Sequence, residues 1–171
     1  MTHVRAATPD DASRIADINV RSWRDTYKGL VPDAYLSSLD AEAIARHVRE
    51  MTESGRDTVL VAGDPELLGF LWMAESRDSD ARPGTAEIVA LYVDPHHKRQ
   101  GVGRALALAS CEIARDRGFD TVSLWVFERN EHARAFYTAL QFVPDGGAQT
   151  TTRWGGVSLR EVRYRRAIAG S

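Results

Sequence analysis

Ala86-Glu87-Ile88-Val89-Ala90-Leu91-Tyr92-Val93-Asp94-Pro95 runs directly into His96-His97-Lys98-Arg99-Gln100-Gly101-Val102-Gly103-Arg104-Ala105-Leu106. The first half is the most apolar strand candidate in the chain, and Asp94-Pro95 ends it. The second half is a cationic loop with two glycines that opens a helix. Helical spacing continues through Val102, Ala105, Leu106, Ala109 and Ile113 to about Gly118. Gly101 and Gly103 let backbone N–H groups approach a ligand without interference from a Cβ. The first helical turn carries unpaired N–H groups and the positive end of the helix dipole. Lys98, Arg99 and Arg104 add full positive charge. Together they describe a pyrophosphate cradle. A solvated glycine-rich helix entry has the same composition, so this segment alone fits both. A nucleotide P-loop needs Gly-Lys before Ser or Thr, whereas Gly103 precedes Arg104-Ala105. The dinucleotide fingerprint needs a third glycine, and position 106 is Leu.

Outward from this segment the chain alternates strands and helices. Upstream, Val4 and Ala6 form a short strand. Thr8-Pro9-Asp10-Asp11 starts a helix that runs to about Tyr27, and Gly29 stops it. Pro32-Asp33 opens a short helix, and Asp40 caps a third that runs to about Glu53. Residues 58–62 and 66–75 read as strands about a Gly63-Asp64-Pro65 turn, and 77–84 as a loop. Downstream, 121–127 is a β-branched and aromatic strand, and 130–140 is a helix. The segment 142–164 is two strands around Gly155-Gly156. A strand–helix–strand unit implies a parallel pair, while consecutive strands favour hairpins. The expected fold is an α/β single domain over residues 1–171. Its sheet is mixed and mostly antiparallel, of six to seven strands, with helices on both faces.

A chain of 171 residues buries roughly 70% of its unfolded surface and needs no staple to fold. The single Cys111 excludes an internal disulfide and a Cys-based zinc site. A net charge of −2 argues against a dedicated nucleic-acid binder. No apolar run reaches the roughly 18 residues of a membrane span, and the N-terminus lacks a signal-peptide core, so a cytoplasmic protein is expected. His96-His97 reads as an exposed pair rather than a metal site. Cys111 reads as a small helix residue, and Arg160, Arg163, Arg165 and Arg166 as an exposed strand and tail.

A second constellation decides between the two readings of the loop. In Asn130-Glu131-His132-Ala133-Arg134-Ala135-Phe136-Tyr137 the Asn caps a helix and Ala133 leaves room beside it. Phe136 packs inward, and Tyr137 presents a hydroxyl. The two segments resemble the GNAT superfamily of acyl-CoA-dependent N-acyltransferases, and Ser22 to Pro32 resembles the same stretch of a bacterial subgroup of it. Lys98 to Gly103 is similar to the family pattern Arg/Gln-x-x-Gly-x-Gly/Ala, with Lys98 where Arg or Gln is usual. Asn130, Ala133, Phe136 and Tyr137 match Asn-x-x-Ala-x-x-Phe-Tyr. The family's following Gly-Phe appears as Gln141-Phe142.

The resemblance implies an N-acetyltransferase that uses acetyl-CoA, without a metal, by direct attack in a ternary complex. It implies that Leu91, Tyr92 and Val93 present backbone groups to the pantetheine arm, with the Leu91 N–H polarising the thioester carbonyl. Lys98, Arg99, Gln100, Gly101, Val102, Gly103 and Arg104 would hold the pyrophosphate. Asn130 and Ala133 would line the pantetheine region, and Tyr137 would protonate the departing thiolate. Glu87 would act as general base or bind the cationic amine. Trp23, Tyr27 and Trp72 are the candidate acceptor walls, since aromatic faces attract a cationic amine. The acceptor is expected to be a small-molecule amine. A protein N-terminal or lysine acetyltransferase, and a non-catalytic acyl-CoA-binding or interaction module, stand as alternatives. A homodimer is common in the family and is left open.

Overall fold

The computed structural model describes residues 2–168. Its strands are β1 (Val4–Ala6), β2 (Thr58–Ala62), β3 (Gly69–Glu75), β4 (Thr85–Val93), β5 (Thr121–Phe127), β6 (Val143–Thr151) and β7 (Leu159–Ala167). Its helices are α1 (Ala12–Thr26), α2 (Asp33–Ser37), α3 (Ala41–Ser54), α4 (Val102–Asp116) and α5 (Glu131–Ala139). The strands form one sheet in the order β1-β2-β3-β4-β5-β7-β6. All pairs are antiparallel except β4 with β5, which α4 connects as a crossover. The mixed, mostly antiparallel sheet expected from the sequence is therefore present.

The two faces bury different clusters. Leu60, Leu71, Met73, Ile88 and Leu124 pack under Leu106, Cys111 and Ala114 of α4. Val59, Val61 and Phe70 pack on the other face, under Ile15 and Ile18 of α1 and Val48 of α3. β2 is buried along its whole length, in keeping with its unbroken apolar run. Local chemistry sets the ends of the helices. The Asp40 carboxylate accepts from the Glu42 and Ala43 amides at 2.9 and 3.2 Å, and Gly55 closes α3 with φ +61°. Gly69 allows α4 to lie close to the sheet. A Cβ there would stand 2.9 Å from the Tyr92 carbonyl oxygen and 3.0 Å from Val102 Cγ1.

Two expectations need correction. The strand expected from Glu66 begins at Gly69, because Leu68 N–H turns back onto the Ala62 carbonyl while Leu67 is drawn into the core under α1. Arg163, expected on an exposed strand, is 7% exposed. Asp78, Asp80 and Asp145 surround it, which makes its burial affordable.

Candidate active site

The site starts at an irregularity in β4. Trp72 of β3 pairs with Ala90, but Met73 pairs with Ile88, so Val89 is an extra residue in the ladder. The bulge shifts the side-chain alternation. Ala86 and Ile88 face the α4 cluster, and beyond the bulge Leu91 and Val93 do so, while Ala90 and Tyr92 turn to the opposite face.

The parallel pairing of β4 with β5 runs only from Thr85↔Thr121 to Ile88↔Leu124. Past that point the strands have no pairing, although β5 continues to Phe127 and β4 to Val93. Asp94 N–H donates to the Leu68 carbonyl at 2.7 Å. Alternate residues of an antiparallel strand point their backbone groups in opposite directions. Val93 and Leu91, one and three residues back, therefore turn their N–H groups away from β3 and into the opening. The Val93 carbonyl there accepts from Ser22 Oγ at 2.9 Å.

The loop after β4 is pinned on one side and open on the other. The Asp94 carboxylate, 1% exposed, caps the short 3-10 turn Pro95–His97 by accepting from His96 N–H at 3.0 Å. It also accepts from Arg14 of α1 at 2.9 Å. Lys98 pairs with Asp25 at the end of α1. Arg99 and Gly101 take positive φ, +63° and +82°. Gly101 is the N-cap of α4 and offers no side chain to the first amides of the helix. A Cβ at Gly101 would meet nothing within 4 Å, so the cradle opens to space. At Gly103 a Cβ would lie 3.4 Å from Phe136 Cζ and 3.5 Å from Leu91 Cδ2. There glycine serves the seam between α4, α5 and β4.

On the far side of the opening, Asn130 Oδ1 caps α5 by accepting from Ala133 N–H at 3.1 Å. Tyr137 lies edge-on to Phe136 and Phe142, with centroids 5.1 and 5.8 Å away. Its hydroxyl makes no hydrogen bond to a described residue, and burial pushes its pKa well above the ordinary tyrosine value.

A cleft of about 1340 Å³ joins these parts. Glu87, Leu91, Tyr92, Val93, Lys98, Arg99, Gly101, Val102, Gly103, Arg104, Asn130, Ala133 and Tyr137 line it, as do Trp23, Tyr27 and Trp72. Gln100 is exposed and does not line it. The residues suggested by the sequence therefore meet in one place, but at two ends. Trp72, Arg77 and Glu87 form one end. Glu87, 6% exposed, accepts from Arg77 N–H at 3.3 Å and Arg77 Nη2 at 3.4 Å, and the Arg77 guanidinium stands 5.9 Å over Trp72. Trp23 and Tyr27 form the other end. Their rings are 4.6 Å apart, Trp154 is 4.9 Å from Trp23, and Phe127 is 5.2 Å from Tyr27. The Tyr27 and Tyr92 hydroxyls lie 3.4 Å apart.

Sequence reasoning missed Glu161 and Gln149, which also line this cleft, and the anchoring role of Arg163. One signal was available: Leu159, Glu161 and Arg163 alternate along β7, so an inward Leu159 carries the other two inward. Cys111 is buried in the α4 core, and burial raises its thiol pKa, as befits a packing residue. His96 is exposed, whereas His97 is half-buried, with Nδ1 3.8 Å from Asp94. Among the described residues no cluster of three or more His, Cys, Asp or Glu is arranged to hold a metal ion. No helix among them is long and apolar enough to cross a membrane.

Residues 16–142 match the acetyltransferase (GNAT) family. The chain is 33% identical over 164 residues to YuaI of Bacillus subtilis, described as an uncharacterized N-acetyltransferase, covering 95% of this chain and 91% of that protein. It is 30% identical over 175 residues to Rv2775 of Mycobacterium tuberculosis, a probable N-acetyltransferase, with the same coverage of 95% and 91%. Among solved structures, the fold is similar to that of the PaiA N-acetyltransferase of Thermoplasma acidophilum, determined in complex with coenzyme A. The TM-score is 0.73 at 19% identity, covering 98% of this chain and 99% of that one.

Proposed function

The chain belongs to the acetyltransferase (GNAT) family and is an acyltransferase; we propose that it moves an acetyl group from acetyl-CoA to the primary amine of a small-molecule acceptor, by direct attack in a ternary complex. One observation carries the reading: β4 parts from β5 beyond Ile88, beside the open N-terminus of α4. Residues 1–171 serve as one catalytic domain. The family match lies inside a sheet whose flanking strands β1 and β7 belong to the same fold.

The residues fit acetyl-CoA on physical grounds. The first amides of α4, without side-chain caps and next to Arg99 and Arg104, would hold the pyrophosphate. The unpaired backbone of Leu91 and Val93 would hold the pantetheine arm as an added strand holds a sheet edge. Bound there, acetyl-CoA supplies an activated acyl group. The Leu91 N–H donates to the acyl carbonyl oxygen as negative charge develops on it. Tyr137, kept protonated by its burial, donates its hydroxyl proton to the departing sulfur. Glu87 accepts the amine's proton through water.

A small acceptor is favoured by how the cleft is closed. Arg163 clamps the 77–84 loop through Asp78 and Asp80. Tyr35 of α2 and Trp154 close over Trp23. Both features enclose the cleft where a peptide would need an open groove. Calorimetric titration with acetyl-CoA, ATP and NAD tests the reading. Binding selective for acetyl-CoA, weakened in Gly101→Val while the fold is kept, is the expected result. Equal or absent binding of acetyl-CoA by folded protein would refute it.

A further inference from the structure

Among the described residues, Glu161 is a buried carboxylate without a counter-charge. It is 7% exposed, and its one side-chain partner is the neutral Gln149 amide, which donates to Oε2 at 2.8 Å. None of the described Lys, Arg or His side chains forms an ion pair with it. Two arginines of this part of the fold are committed elsewhere. Arg163, two residues along β7, is held by Asp78, Asp80 and Asp145, and Arg153 stacks 5.0 Å from the Trp154 ring. Glu87, by contrast, already has Arg77. A charge taken out of water needs a partner, and here the protein leaves that partner out.

Its position says what the partner touches. Glu161 pairs with Phe127 across β5, whereas Glu87 pairs with Ser123, so four residues of strand, about 13 Å, separate their levels. Phe127 is the last residue of β5, within the stretch that has parted from β4, and Tyr27 connects it to Tyr92, the neighbour of Leu91. The surrounding walls are Trp23, Tyr27, Phe127 and Trp154. Aromatic faces beside a carboxylate are the surroundings a desolvated ammonium prefers.

We propose that Glu161 receives the ammonium of the acceptor, so that the acceptor is a primary amine on an unbranched apolar or aryl arm lying along these rings. The proposal rests on the acyl-transfer reading and adds a specificity-determining residue to it. Glu87, about 13 Å of strand away at the other end of the cleft, would take the proton of the seated amine through a chain of several waters rather than through one.

The test measures acceptor affinity without turnover. Ligand-free protein is titrated with 2-phenylethylamine and n-butylamine, and with 2-phenylethanol and n-butanol, by calorimetry and tryptophan fluorescence. The amines are expected to bind at least about tenfold tighter than the alcohols, and Glu161→Gln to abolish that preference without altering alcohol affinity. Glu161→Asp, which keeps the charge, should retain the preference. Equal affinity of amine and alcohol, absence of binding by either, or a preference that survives Glu161→Gln and disappears in Glu87→Gln would each overturn the proposal. Failure of acetyl-CoA binding in the separate titration refutes the acyl-transfer reading instead, so the two failures are distinguishable.

Discussion

Ser22 Oγ donates a hydrogen bond to the Val93 carbonyl at 2.9 Å, across 71 positions of sequence. Ser22 is itself buried, in α1, and Val93 ends the strand that has left its parallel neighbour. Where β4 loses its pairing to β5, a helix side chain thus takes over one of its backbone groups. The opening is built into the fold and held by contacts outside the sheet.

Ser22→Ala removes that contact and leaves the carbonyl to water or to nothing. The expected cost is about 1 kcal/mol of folding stability, together with weaker acetyl-CoA binding, because the end of β4 loses its anchor. Chemical denaturation and calorimetry on the same variant would check both. A stability unchanged from the parent would show that water replaces the hydroxyl.

Tyr137→Phe should lower kcat by about tenfold to a hundredfold and leave acetyl-CoA affinity close to the parent value, since the ring packing survives. Burial holds the Tyr137 pKa well above its ordinary value, so the hydroxyl stays protonated through neutral and mildly alkaline pH. The pH–rate profile should accordingly show no alkaline loss of rate attributable to it below the ordinary tyrosine pKa of 10.0. A falling limb near neutrality that vanishes in Tyr137→Phe would contradict this assignment.

The clamp on the 77–84 loop should be acid-sensitive. The Arg163 hydrogen bonds hold the Asp80 carboxyl down at about 2 against an ordinary 3.8. A similar bond from Arg5 holds Asp11 at about 2. Lowered carboxyl values stabilise the fold above the ordinary pKa, and the stabilisation is lost as pH falls through the lowered one. Thermal unfolding followed from pH 5 downward should therefore lose stability between about pH 4 and about 2. Arg163→Met should flatten the part of that loss due to Asp80, while the part due to Arg5 and Asp11 persists.

Gln141 occupies a left-handed conformation, φ +64°, at the exit of α5. It stands where the family pattern has glycine. A side chain there costs about 1–2 kcal/mol in backbone strain. Gln141→Gly is expected to recover about 0.5–1 kcal/mol, less than the strain because glycine has more freedom to lose on folding. Urea denaturation would measure it, and a variant less stable than the parent would mean the Gln side chain contributes a contact that offsets its strain.

Much of this was legible in the chain itself. The apolar strand 85–93, the glycine-bearing loop after it and the Asn130-to-Tyr137 helix are local patterns. Strand alternation, helical spacing and capping fix such patterns within a few residues, and the order of elements then restricts the sheet to few topologies. Tyr92, Gly101, Asn130 and Tyr137 meet in one cleft because they sit on neighbouring strand–helix units.

What only the tertiary structure decided depends on partners far apart in sequence. The Val89 bulge exists through the register with β3, where Trp72 pairs with Ala90 but Met73 pairs with Ile88, and nothing in Ile88-Val89-Ala90 announces it. The burial of Arg163 requires Asp78 and Asp80, more than 80 positions away, to fold over it. Glu161 appears in sequence as one charge among arginines. Its isolation from every one of them is a property of where β7 lies against α1 and β5, because Coulomb attraction acts on distance in space and the chain records only distance along itself.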